Sequence, residues 1–190
     1  MSRKRVAVLI SGRGSNLQAL LDADQDAYEI VLVVSNVPGA AGLDRARAAG
    51  VEAIALDHKP YGKNREAFER DLDALLVERN IEIVALAGFM RVLTPYFVNA
   101  WKGRLINIHP SLLPKYPGVN THARALEAGD AEHGCTVHLV VEEVDSGEIL
   151  GQSQLRILAT DTPETLARRL LPLEHELYPR CLAEFARRVM

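Results

Sequence analysis

The sequence predicts an α/β fold: a doubly wound, mostly parallel sheet with helices on both faces and an antiparallel hairpin towards the C-terminal end. Three observations predict it. Apolar, β-branched runs at 6–10 and 30–34 do not alternate with polar residues, as suits strands buried on both faces. Stretches with helical spacing separate those runs, the pattern of βαβ units. After residue 134 the texture changes to two strand-like stretches around a turn.

The elements follow in order. Residues 6–10 (VAVLI) read as a first strand, and 11–16 (SGRGSN) as a glycine-rich turn. Leu17, Leu20 and Leu21 then recur at helical spacing. Residues 30–34 form a second strand, 43–49 a helix and 51–56 a short third strand. Over 63–79 an amphipathic helix places Phe68, Leu72, Leu75 and Leu76 on one face. Residues 81–87 form a fourth strand ending at Gly88. A short helix over 95–100 starts with Pro95, where a missing N–H costs little. Residues 105–108 are a fifth strand, and a helix follows Thr121 with His122 as its cap. Stretches 136–141 and 148–157 pair as a hairpin around 144–147. Residues 163–188 are helical, with Pro172 and Pro179 expected to interrupt them.

Composition narrows the function classes. A chain of 190 residues with 48% hydrophobic and 25% charged residues can bury a core without metal or disulfide staples, and reads as one domain over 1–190. Its net charge of -3 argues against a nucleic-acid coat. Cys135 and Cys181 form no C-x-x-C pair, and no His/Cys cluster has metal-ligand spacing, so no metal is expected. Only five apolar residues follow the basic start, too few for a secretory signal, and no run is long enough to span a bilayer. A cytoplasmic location, with no membrane and no nucleic-acid partner, is the expectation.

Ligands of open α/β sheets bind beyond the carboxyl ends of the strands. Loops 11–16, 88–95 and 109–122 fall there. The first suits a phosphate cradle at a helix N-terminus, and equally a glycine turn capped by Ser15 or Asn16. It lacks the third glycine of a dinucleotide fingerprint, since Leu17 stands there, and it has no P-loop lysine.

Asn107 and His109 are two apart at a strand end, so they share a face. An amide beside an imidazole suits oxyanion stabilisation and proton handling, and also plain strand-end hydrogen bonding. Asp145 is the candidate partner of His109, or simply a turn aspartate. His138, mid-strand, reads as a packed or network residue; His58 and His133 read as loop residues, and His175 as structural or interfacial. A Ser–His–Asp hydrolase would want a Gly-x-Ser-x-Gly elbow, which is absent.

These segments carry a resemblance. VLISGRGSNLQALL (8–21), ALAGFMRVL (85–93), NIHPSLLPKYPG (107–118), EHGCTVHL (132–139) with Asp145, and EHELYP (174–179) occur in one order from residue 6 to the C-terminus. The chain resembles the folate-dependent formyltransferase superfamily, and within it the glycinamide ribonucleotide formyltransferases. The NxHPSLLP run is specific to the superfamily, and the GRGSN loop narrows it.

The resemblance implies a reaction of purine synthesis. The amine of 5′-phosphoribosylglycinamide takes the formyl group of 10-formyltetrahydrofolate, a co-substrate, with no metal. It implies Asn107, His109 and Asp145 as the catalytic trio. Gly14, Ser15, Asn16, Leu171, Pro172, Leu173 and Glu174 match the ribonucleotide site. Arg65, Met90, Arg91, Val92, Leu93, Asn107, Val141, Glu142, Glu143, Val144 and Asp145 match the folate site. It implies a nucleotide-substrate half at about 1–100, a folate and catalytic half at about 101–190, and a monomer or homodimer.

Three features depart from the family pattern. Asn120 stands where some relatives have histidine, residues 148–151 replace a more apolar stretch, and the chain ends soon after EHELYP. Methionyl-tRNA formyltransferases normally add a C-terminal RNA-binding domain, and formyltetrahydrofolate hydrolases an N-terminal regulatory one. Length and the GRGSN loop favour the ribonucleotide enzyme over both. A non-catalytic phosphometabolite-binding module would need no Asn–His–Asp set.

Overall fold

The structure, a computed structural model, describes residues 2–189. Seven strands form one sheet: β1 (Lys4–Ile10), β2 (Tyr28–Ser35), β3 (Glu52–Ala55), β4 (Ile83–Leu86), β5 (Leu105–His109), β6 (Glu132–Leu139) and β7 (Ile149–Arg156). Their order across the sheet is β3-β2-β1-β4-β5-β6-β7. The first five run parallel, while β6 is antiparallel to both β5 and β7. The parallel strands and the antiparallel hairpin stand as the sequence predicts.

Among the described residues six α-helices flank the sheet, with one short 3-10 turn over Lys59–Tyr61: α1 (Ser15–Asp22), α2 (Ala41–Ala48), α3 (Arg65–Glu78), α4 (Pro95–Ala100), α5 (Thr121–Glu127) and α6 (Pro163–Arg188). The central strands are apolar on both sides because two cores flank them. On one face Val6, Val8 and Ile10 meet Leu17, Leu20, Leu43, Leu177 and Leu182 from α1, α2 and α6. On the other, Ala7 and Leu9 meet Phe68, Leu72 and Leu76 of α3, with Phe97 and Trp101. Successive residues of β1 thus feed opposite cores. A fully buried leucine or phenylalanine contributes about 1.5–3 kcal/mol, so these faces outweigh local sequence preferences.

Two expectations are corrected here. Pro172 and Pro179 do not interrupt the C-terminal helix; α6 runs unbroken through both. Leu170, Leu177, Tyr178 and Leu182 are fully buried on either side of them, and the Tyr178 hydroxyl donates to the Leu86 carbonyl at 2.8 Å. That anchorage offsets the N–H each proline removes. Neither Ser15 nor Asn16 caps α1: Gly14 holds the cap position in the left-handed region, φ 74°, with no side-chain cap bond.

Candidate active site

Strand β5 ends at the site. Asn107 faces His138 of β6 across the sheet, and His109 faces Thr136. His138 is buried, and burial pushes its imidazole pKa down, which favours the neutral ring. Its Nδ1–H donates to the Leu139 carbonyl at 2.9 Å. Its Nε2 is then an acceptor, 3.5 Å from the Asn107 amide nitrogen. One Asn107 hydrogen is thus directed at His138, and the second is left to donate elsewhere.

His109 is buried, with Nε2 2.8 Å from the Tyr116 carbonyl and Nδ1 3.5 Å from Asp145 Oδ2. A ring protonated on both nitrogens donates to both neighbours. Asp145 also accepts the Gly118 N–H at 2.8 Å, and its Oδ1 lies 3.6 Å from His138 Nε2. The Asp145 backbone is left-handed, φ 53°, a conformation that aspartate tolerates better than most residues. The turn therefore aims this carboxylate back at β5. Asn107, His109 and Asp145 converge, and His138 belongs with them.

A second cluster lies where β1 runs into α1. Glu174 of α6 is 8% exposed, and Asn16 Nδ2 donates to it at 3.5 Å. Burial pushes its pKa up to about 7, and the Asn16 amide pulls the other way. The Asn16 side-chain oxygen is buried with no hydrogen-bond partner.

The 88–93 segment follows β4 and is held from below. The Met90 N–H donates to Ser11 Oγ at 2.8 Å, and Arg65 Nη1 donates to the Val92 carbonyl at 3.3 Å. Arg91 stacks its guanidinium over Phe68. Met90, Val92, Val141 and Val144 are exposed apolar side chains. Exposed apolar groups beside backbone polar atoms fit a flat heteroaromatic ligand.

Residues 4–182 match the model described as formyl transferase. The chain belongs to that family. It is 50% identical over 186 residues to the trifunctional purine biosynthetic protein adenosine-3 of Drosophila melanogaster, covering 95% of this chain and 14% of that protein. The chain therefore spans about one seventh of that relative. It is 45% identical over 184 residues to the phosphoribosylglycinamide formyltransferase of Escherichia coli, covering 95% of this chain and 86% of that one. The solved phosphoribosylglycinamide formyltransferase of Coxiella burnetii superposes with a TM-score of 0.91 at 46% identity, covering 97% of this chain and 88% of that one.

In this chain the sequence-predicted residues fall into three groups. The trio is assembled, Asn16 and Glu174 are neighbours, and Arg65 reaches the 88–93 segment. Leu171 and Pro172 lie exposed on α6. Glu142 accepts a hydrogen bond from Asn99 at 2.7 Å, and the Glu143 carbonyl accepts one from Ser146 at 3.0 Å. Sequence reasoning ranked His138 too low; its register opposite Asn107 was the missing signal.

Two histidine assignments are also corrected. Asn120, not His122, holds the cap position of α5, and His133 is buried in β6 rather than in a loop. The two rings meet, with His122 Nδ1 3.0 Å from His133 Nε2. Burial lowers both pKa values, His133 to about 4, so a neutral donor–acceptor pair satisfies them. No described helix is long and apolar enough to cross a membrane. Among the described residues no group of three or more His, Cys, Asp or Glu is placed to hold a metal ion.

Proposed function

We propose that the chain transfers the formyl group of 10-formyltetrahydrofolate to the amine of 5′-phosphoribosylglycinamide in purine synthesis. The observation that carries this reading is the convergence of Asn107, His109 and Asp145 at the end of β5. The named relatives and the family match support it.

The amine nitrogen attacks the formyl carbon, and its carbonyl oxygen gains negative charge. The free Asn107 N–H donates to that oxygen. His109 Nε2–H, accepted here by the Tyr116 carbonyl, is the second donor. Asp145 holds the His109 ring in place from its Nδ1 side. As the tetrahedral intermediate collapses, the bond to folate N10 breaks. The proton lost by the amine replaces the formyl group on N10, with Asp145 as carrier, directly or through water.

Gly14, Ser15, Asn16 and the 171–174 segment bind the ribonucleotide in this reading, and Glu174 faces its amino end. Arg65, residues 90–93 and residues 141–145 bind the folate. The exposed apolar residues there shield the reacting carbon from water, which would otherwise hydrolyse the formyl group.

The test is an absorbance assay of purified protein with 10-formyltetrahydrofolate, run with and without the ribonucleotide. Tetrahydrofolate released only with the ribonucleotide supports transfer. Release without it assigns the site to hydrolysis instead. No release in either case, with folate still bound, assigns it to binding alone.

A further inference from the structure

The proposed ribonucleotide site has a charge deficit. Of Gly14, Ser15, Asn16, Leu171, Pro172, Leu173 and Glu174, none is cationic and one is acidic. A phosphate monoester carries roughly -1.5 to -2 charges at neutral pH. Backbone N–H groups at a helix start help, but they bring only partial charge.

Helix α2 supplies what is missing. Its first turn packs against the glycine loop, with the Gly42 N–H donating to the Gly12 carbonyl at 3.0 Å. The approach is so close that a Cβ on Gly14 would lie 2.9 Å from Gly42 Cα. Arg45 is three residues further along α2, on the same face. Its Nε–H donates to the Arg13 carbonyl at 2.7 Å, and its Nη1 to Gln18 Oε1 at 3.4 Å. The guanidinium is thus pinned at the first turn of α1.

These two bonds occupy two of its five N–H donors and leave three for a ligand. Arg45 lines an open hollow of about 610 Å³ together with Ser15, Gln18 and His175. The Nε2 atom of that histidine is buried without a hydrogen-bond partner. Of the neighbouring arginines, Arg47 pairs with Asp44 and Arg13 is exposed.

We infer that Arg45 is the charge partner of the acceptor's 5′-phosphate and the residue that makes the enzyme require a phosphorylated acceptor. This inference rests on the formyl-transfer reading above. Arg45 fixes the loop from behind and presents its remaining N–H groups beside the Ser15 end of α1.

The experiment compares two acceptors, 5′-phosphoribosylglycinamide and the same molecule without its phosphate. Arg45→Gln should raise the KM of the phosphorylated acceptor about tenfold to hundredfold, the value of a lost charge-assisted hydrogen bond. Its kcat and its KM for the formyl donor should stay close to wild type. The phosphate-free acceptor should react equally with both proteins, and Arg45→Lys should recover part of the loss. An unchanged KM overturns the inference. So does an equal loss with both acceptors, because that result means Arg45 only shapes the loop.

Phosphorus NMR of inorganic phosphate separates this inference from the reaction itself. Line broadening by the wild type that Arg45→Gln abolishes supports a phosphate ligand even if no formyl transfer is found. Equal broadening by both proteins overturns the inference whatever the reaction.

Discussion

Asp145 and Glu174 are both carboxyl groups of the candidate site, and the fold gives them opposite surroundings. Asp145 sits in a loop and is supplied with partners: the Gly118 N–H at 2.8 Å and His109 at 3.5 Å. Glu174 projects from a buried helix face and has one amide at 3.5 Å. Its pKa rises to about 7. Chemical type is therefore a poor guide to role. The first carboxylate is built to hold an imidazole, and the second to respond to the charge of whatever binds beside it.

Breaking the first arrangement gives the largest effect. Asp145→Asn keeps the shape but removes the charge, so kcat should fall about 10²- to 10⁴-fold, the usual range for acid–base groups. Steady-state turnover checks this, with circular dichroism to confirm the fold.

Displacing the same carboxylate tests whether position matters as much as charge. A Cβ on Gly147 would run into the Leu139 backbone carbonyl, so Gly147→Ala must shift the turn that carries Asp145. A shift of that kind should lower kcat about 10- to 100-fold, with the ribonucleotide KM little changed.

Glu174→Gln tests the other side of the comparison through stability. The folded pKa lies above the ordinary value of 4.5, so the favourable contribution is whole below about 4.5. It is lost as pH rises through about 7. Glutamine has no such loss. Urea unfolding should show the variant gaining on wild type between pH 5 and pH 8, by at most about 3 kcal/mol. A gap that does not change with pH contradicts the account of Glu174.

Ser11→Ala should give the smallest change. It removes the hydroxyl that accepts the Met90 N–H and donates to Asn36 Oδ1 at 2.5 Å. The KM for the folate should rise roughly 3- to 10-fold while the ribonucleotide KM holds.

Much of this was legible in the sequence because it rests on short-range pattern. The unalternating runs at 6–10 and 30–34 marked buried parallel strands, and Asn107 and His109 shared a face by strand period alone. What escaped depended on distant contacts. Pro172 and Pro179 read as breaks, yet Tyr178 bonds the Leu86 carbonyl 92 residues away and Leu182 packs in the core against the sheet. His138 read as a packed or network residue, as it is, but its partner Asn107 is fixed only by antiparallel register. The need for glycine at the Gly14 cap was hidden in part too, because a Cβ there would crowd the Gly42 backbone, which is distant in sequence.

The most direct test of the central claim is turnover of His109→Ala, measured beside its affinity for a formyl-folate analogue. The account predicts a folded protein that binds the analogue like wild type and transfers formyl groups about 10²- to 10³-fold more slowly. A folded His109→Ala enzyme with wild-type turnover would contradict it.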